Sequence, residues 1–259
     1  MPLIGRLAHT LRSWDERSHL GEADDLDRQL AASAADIPSL VRSHLDPPLD
    51  QIIIDAWTSG QGIDLSSVGY GPAHWKGGHR FLTKPEPYYY FLAGLVRSQG
   101  YKRIFEIGTH YGGSALAMLR GVANKDSAKI LTVDVTDLNR EIRTIPNVTK
   151  ITGDANTERA VKTAVAYFGS DPIDLLFVDA DHHFIPTITA LGIYIMLLRP
   201  RMIAIDDIML NSSMKSMWDI LRVTQRNDAV NCVDISPQIR SRSCGFGLIR
   251  LRSKLTTAY

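Results

Sequence analysis

The chain is short of everything that marks a disulfide framework, a nucleic-acid binder or a membrane span. It has 2 cysteines in 259 residues. Cys232 and Cys244 lack metal-ligand spacing, and two thiols build no disulfide framework, so reduced buried thiols are expected. Charge of one sign is missing too: 29 Lys and Arg stand against 28 Asp and Glu, a net charge of +1. No long basic or acidic block exists, which leaves nothing in the charge to favour nucleic acid or an anionic membrane as partner. Long apolar runs are also absent. The most apolar long segment, residues 190–205, is broken by Arg199-Pro200-Arg201 and is too short to cross a bilayer. Met1-Pro-Leu-Ile-Gly-Arg shows no apolar signal-peptide core. A soluble, cytoplasmic protein is expected. No internal repeat or low-complexity tract stands out.

What is present suits a sizeable core. The chain is 44% hydrophobic, enough for one large domain, or one domain plus an extension. The expected division is an N-terminal extension over residues 1–80, helical and then loop-rich, and a domain over 81–259. Residues 1–45 are polar, with helical spacing at Leu3, Leu7, Leu11 and Trp14, and Asp46-Pro47-Pro48 interrupts them. From Thr58 to Gly78 glycine, serine and aromatics dominate, which suits a long irregular segment with a lid or binding role. The extension is a candidate dimer element, so a homo-oligomer is possible. His74–His79 and Tyr88–Tyr90 are candidate acceptor surfaces, although tyrosines at helical spacing more often pack.

After Pro87 the pattern is regular. Tyr88–Arg97 has the spacing of a helix. Short β-branched runs follow at Arg103–Ile107, Lys129–Val133, Val148–Thr152, Asp174–Val178 and Met202–Ile205. Helical patterns start between them, near Gly113, Thr157, Pro186 and Ser212. Two late β-like runs, Ala229–Ile235 and Phe246–Leu251, finish the chain. Alternation of this kind predicts a parallel sheet covered on both faces, a doubly wound α/β fold. Such sheets bind ligands outside the carboxyl ends of their strands, at the switch point beside the first strand.

Arg103-Ile-Phe-Glu-Ile-Gly-Thr-His-Tyr-Gly-Gly-Ser114 joins a strand, a glycine turn and a helix start. The dinucleotide fingerprint needs glycine two positions after Gly108, and His110 stands there. A pyrophosphate is therefore disfavoured, and with it a nicotinamide cofactor. Glu106, at the strand end, suits a cationic amine better than a phosphate. Asp134 ends the second strand and can accept from ribose hydroxyls. Asp154 ends the third and can accept from an adenine amino group. Amine, ribose and adenine without phosphate describe S-adenosylmethionine. Each aspartate alone could equally be a turn or cap residue, and Gly112 and Gly113 could serve tight packing.

Glu106-Ile-Gly-Thr-His-Tyr-Gly-Gly-Ser114 resembles the first motif of class I S-adenosylmethionine-dependent methyltransferases. Asp134 and Gly153-Asp154-Ala155 match the second-strand acid and the adenine-side acid in order and spacing. The resemblance covers roughly residues 85–252. It implies a Rossmann-like seven-stranded sheet with an antiparallel last strand. It also implies cofactor contacts from Glu106, Gly108, Thr109, Gly112, Ser114, Asp134, Asp154, Ala155 and Asp179.

Asp179-Ala-Asp181-His182-His183-Phe184 follows the fourth strand, and Asp206-Asp207 the fifth. Neighbouring strands lie ~4.8 Å apart, so Asp179, Asp206 and Asp207 should converge. Packed carboxylates repel, and Mg²⁺, which takes oxygen ligands, would relieve that. The pattern resembles metal-dependent small-molecule O-methyltransferases, and most of all the branch with macrocin-type sugar O-methyltransferases and cephalosporin-hydroxylase-like proteins. That branch has Asp-Gly-x-His-x-Tyr, and here Ala180 and Phe184 depart from it. The implied reaction is displacement of the sulfonium methyl by a metal-bound hydroxyl of a small-molecule acceptor. A sugar or glycosylated metabolite is the first expectation and a catechol-like ring the second. The base is expected to be His182, with Asp181 the second choice. A nicotinamide-dependent oxidoreductase and a non-catalytic protein that binds S-adenosylmethionine remain as alternatives.

Overall fold

The computed structural model describes residues 47–66, 68, 85–138, 141–225 and 228–251. The expectations for residues 1–45 and for His74–His79 lie outside the described residues. The contacts divide the chain at Pro48, and the fold below is that of the unit Pro48–Tyr259.

Two helices precede the sheet, α1 (Leu49–Gln61) and α2 (Pro87–Gln99). Then come β1 (Arg103–Ile107), α3 (Gly113–Gly121), β2 (Lys129–Asp134), β3 (Val148–Thr152) and α4 (Glu158–Phe168). They are followed by β4 (Leu175–Val178), α5 (Phe184–Leu198), β5 (Met202–Asp206) and α6 (Ser212–Gln225). The last elements among the described residues are β6 (Ala229–Asn231), a short α7 (Cys232–Ile235) and β7 (Phe246–Arg250). The sheet has 7 strands in the order β3-β2-β1-β4-β5-β7-β6. β1 to β5 pair in parallel, and β7 runs antiparallel to both β5 and β6. The expected seven-stranded doubly wound architecture is thus the one observed.

Local chemistry explains the boundaries. Pro87 opens α2, where its missing N–H costs nothing and its fixed φ suits a helix. Gly100, at φ 66, ends it and turns its N–H back to the Val96 and Arg97 carbonyls. Thr157 caps α4 through its hydroxyl, which accepts from the Ala160 N–H. α5 begins at Phe184, two residues before the expected Pro186. Pro186 falls in the first turn, whose N–H groups need no helical partner, and the Phe184 N–H instead donates to Ser213 Oγ at 2.7 Å.

The strand expected over Ala229–Ile235 stops at Asn231 and becomes α7. The Asn231 carboxamide oxygen accepts from the Val233 N–H at 3.4 Å and the Phe246 N–H at 3.1 Å, which turns the chain.

One face of the sheet buries Ile104, Ile130, Leu175, Phe177, Ala204 and Leu248 against α1, α2 and α3. α1, assigned by the sequence to the extension, packs on α2. A Cβ on Gly94 would lie 1.8 Å from the Ala56 carbonyl oxygen, so only glycine lets the two helix backbones meet there. On the other face Phe105 meets Tyr194 edge-on, with ring centroids 4.6 Å apart. Both faces are covered, which is why the strands read as near-continuous apolar runs. Polar residues gather where the strands end.

Candidate active site

The reversal of strand order between β1 and β4 opens a crevice at their carboxyl ends. A cavity of about 800 Å³ occupies it. Gly108–His110, Ser114, Asp134, Gly153–Asn156 and Asp179–His182 are among its lining residues. That size suits a cofactor-sized ligand.

The glycine turn is built by close approach. Gly108 has φ 103, and a Cβ there would fall 1.9 Å from the Asp179 carbonyl oxygen. Its N–H donates to the Val133 carbonyl at 2.8 Å. Gly112, at φ 86, faces Ile142, whose Cδ1 a Cβ would strike at 2.1 Å. Gly112 is therefore a packing glycine that shapes the turn and does not line the cavity.

Glu106 is fully buried behind that turn. One of its oxygens accepts from the Ser114 hydroxyl, and the other from Thr132 Oγ1 at 2.5 Å. Thr132 Oγ1 also meets Thr109 Oγ1 at 2.6 Å. Burial pushes the Glu106 carboxyl up to about 8, against the pull of those two hydroxyls. Glu106 thus does not stand on the cavity wall, where a ligand amine would meet it. It holds Ser114 and Thr109, which do line the cavity.

Asp134 ties two loops together. Its Oδ2 accepts from the His110 N–H at 2.7 Å, and its Oδ1 from the Thr136 N–H and hydroxyl, each at 2.8 Å. Asp154 Oδ1 accepts from the Asn156 N–H at 2.8 Å, an Asx turn. The Ala155 carbonyl accepts from Tyr194 at 2.6 Å. Each aspartate thus has a turn role and also lines the cavity. Gly153 is open: nothing lies within 4 Å of where its Cβ would be.

At the other end of the cavity the acids converge as expected. His182 Nε2 stands between Asp179 Oδ1 at 3.5 Å and Asp207 Oδ2 at 3.4 Å. Asp179 Oδ2 accepts from Tyr88 at 3.2 Å. The Asp179 carboxylate, helped by Asp207, raises His182 above its ordinary value despite the imidazole's partial burial. Asp181 points elsewhere, to His183 Nδ1 at 2.9 Å. Four of the six described non-glycine residues with positive φ are His110, Asp181, His182 and Asp207. All four follow strand ends at this site, so backbone strain concentrates here.

One residue here was invisible to sequence reasoning. Arg240, from the loop between α7 and β7, reaches Asp206 Oδ2 at 2.8 Å and Asp207 Oδ1 at 3.2 Å, both through Nη2. Its Nη1 lies 3.5 Å from Glu86, and its guanidinium covers the Tyr88 ring at 4.9 Å. Burial works against its charge, but Asp206 and the other nearby acids raise its pKa further. Burial and the Asp179 charge push Asp206 up, while Arg240 pulls against both.

Where Mg²⁺ is expected, on Asp179, Asp206 and Asp207, the Arg240 guanidinium contacts Asp206 and Asp207, and the His182 imidazole stands 3.5 Å from Asp179 and 3.4 Å from Asp207. Among the described residues no group of three His, Cys, Asp or Glu side chains is arranged to hold a metal ion.

Val135 and Ile185 were also missed. They line the cavity yet are 70% and 66% exposed, an apolar pair at its rim. The signal for Val135 was its place beside the strand-end Asp134, whereas Ile185 lies in the first turn of α5 and had none.

Residues 105–208 match the family described as a methyltransferase domain. The sheet order and the glycine turn give that stretch a Rossmann-like fold. No curated protein matches the chain. Among solved structures, TomG from Streptomyces achromogenes is an O-methyltransferase involved in tomaymycin synthesis, determined with S-adenosylmethionine. It is 20% identical, with 77% of this chain and 96% of that chain covered and a TM-score of 0.54. An O-methyltransferase from Bacillus cereus, determined with S-adenosylhomocysteine, is 18% identical over 88% of this chain and 97% of that chain, with a TM-score of 0.47.

Proposed function

We propose that the chain transfers a methyl group from S-adenosylmethionine to a hydroxyl of a small molecule, with His182 taking the hydroxyl proton. The observation that carries this reading is the cavity's two-ended chemistry. Asp134, Asp154 and the open Gly153 line one part, and the Asp179–His182 pair lines another. TomG, which shares the fold, was solved with S-adenosylmethionine, which adds support.

The residues fit the cofactor. Ser114, Asp134 and Asp154 offer hydroxyl and carboxylate groups to its polar parts, and Val135 and Ile185 offer apolar cover to a base. Bound S-adenosylmethionine supplies a methyl on a sulfonium sulfur, which passes to the acceptor oxygen as the carbon–sulfur bond breaks. The chain's own part is proximity, alignment and proton removal. His182 is held by two acids and reaches the cavity, which suits it to that proton. Asp181, tied to His183, suits it less.

The acceptor we propose is a sugar or glycosylated metabolite, with a catechol-like ring second; support comes from the Asp179–His182 and Asp206-Asp207 motifs. Cys232 and Cys244 are free thiols, in keeping with a reducing cytoplasm. Among the described residues no helix is long and apolar enough to cross a membrane.

Calorimetry with S-adenosylhomocysteine tests the reading. Binding in the micromolar range and a raised melting temperature are expected. No heat and no thermal shift at saturating ligand would overturn it.

A further inference from the structure

We infer that Arg240 takes the place of a divalent cation in the acid cluster, and that this site neither binds Mg²⁺ nor needs it. The inference rests on the proposed methyl transfer for its activity arm alone.

The geometry is specific. A magnesium ion demands near-octahedral oxygens at about 2.1 Å. Asp206 Oδ2 and Asp207 Oδ1 are bridged by one nitrogen, Arg240 Nη2. Asp207 Oδ2 and Asp179 Oδ1 flank one imidazole nitrogen of His182. Asp179 Oδ2 is taken by Tyr88. Asp206 Oδ1 and His182 Nε2 are both buried with no hydrogen-bond partner, so Asp179 Oδ1 and Asp207 Oδ2 face the imidazole at 3.5 and 3.4 Å without a hydrogen bond. The cation in direct contact with two of the three acids is the Arg240 guanidinium. A dication placed among these acids would also sit within a few ångströms of the guanidinium charge.

Arg240 is not a surface side chain that happened to fold inward. Its neighbour Ile239 is fully buried. The loop is fastened to the end of β5 by the Met209 N–H, which donates to the Cys244 carbonyl at 2.7 Å. The guanidinium is gripped on three sides, by Asp206 and Asp207, by Glu86 and by the Tyr88 ring. The planar guanidinium spreads its donors, so Nη2 meets Asp206 and Asp207 while Nη1 faces Glu86. Arg240 therefore acts as a positioning residue. It pairs with Asp206 and Asp207, and Asp207 in turn faces His182.

The test is a Mn²⁺ titration followed by electron paramagnetic resonance, with S-adenosylhomocysteine binding measured on the same samples. Wild type should leave Mn²⁺ free at millimolar concentration and should methylate at full rate in excess chelator. Arg240→Met should gain Mn²⁺ binding by tenfold or more, and adding Asp206→Asn should abolish the gain. Arg240→Lys keeps a cation and should stay free of metal. Stoichiometric Mn²⁺ binding by wild type, lost in Asp206→Asn, overturns the inference. So does Arg240→Met that folds and gains no metal. If Arg240→Met does not fold, the wild-type titration still decides. Wild type that binds S-adenosylhomocysteine but requires metal would refute this inference and leave the proposed function standing. Wild type that binds neither ligand would refute the proposed function alone.

Discussion

Glu106→Gln isolates the consequence of burying one carboxyl group with no charged partner. Glu106 is fully buried, and burial holds its carboxyl near 8 against an ordinary 4.5. In the unfolded chain it titrates as an ordinary glutamate. A folded value above the unfolded one means the neutral form is favoured by folding. The associated stability is complete below the unfolded value and is lost as pH rises through the folded one. Each unit in that window corresponds to about 1.4 kcal/mol. Between about pH 5 and about pH 8 the wild type should lose roughly 3.5 kcal/mol through this residue. Glutamine is uncharged at every pH and keeps one oxygen as an acceptor for Ser114 or Thr132. The variant should therefore match wild type at low pH and exceed it by a few kcal/mol near pH 8. Urea unfolding of both proteins across that range measures the difference, in which other titrating groups cancel. Parallel stability curves would show that Glu106 is ionised in the folded protein, with Ser114 and Thr132 outweighing burial.

Two further outcomes follow from the geometry. His182 acts as base only when neutral, and Asp179 and Asp207 raise its value, so the acidic limb of kcat/KM should lie above the ordinary histidine value of 6.5. Asp207→Asn removes one of those charges and should move the limb down; a limb that stays put would separate His182 from the proton transfer. Gly94→Ala should cost about 3 kcal/mol in urea unfolding, because the new methyl lies on the Ala56 carbonyl and forces α1 away from α2. A loss under about 0.5 kcal/mol would mean the helices part freely.

The sheet was legible because parallel strands buried on both faces must be apolar throughout. β1 and β3 fall on their expected residues, and β2, β4 and β5 differ by one residue at one end. Ala229–Ile235 was misjudged because its apolar pattern suits a strand, whereas an Asn231 side-chain bond ends it. The strand-end acids were legible as positions, since the fold brings every such residue to one edge. Their partners were not. Glu106 stands beside the glycine turn in sequence, yet side-chain period places it behind the wall on Ser114 and Thr132. Arg240 lies 34 residues beyond Asp206, in a loop with no periodicity, so no local signal joins them.

The acid cluster poses an electrostatic question that sequence alone answers incompletely. Three carboxylates at one sheet edge require positive charge, and that requirement holds here. A metal and a guanidinium both meet it, but with different consequences for the imidazole. A dication would draw Asp179 and Asp207 to itself and leave His182 with weaker acceptors. A guanidinium on Asp206 and one oxygen of Asp207 leaves the other oxygen of Asp207, and Asp179, facing His182. The imidazole is then oriented by two acids and opens onto the cavity. Arg240 also lowers His182's affinity for a proton from behind, against the pull of those acids. The balance favours a histidine that can both take a proton and release it. The arginine that contacts Asp206 and Asp207 thus also leaves two acids facing His182.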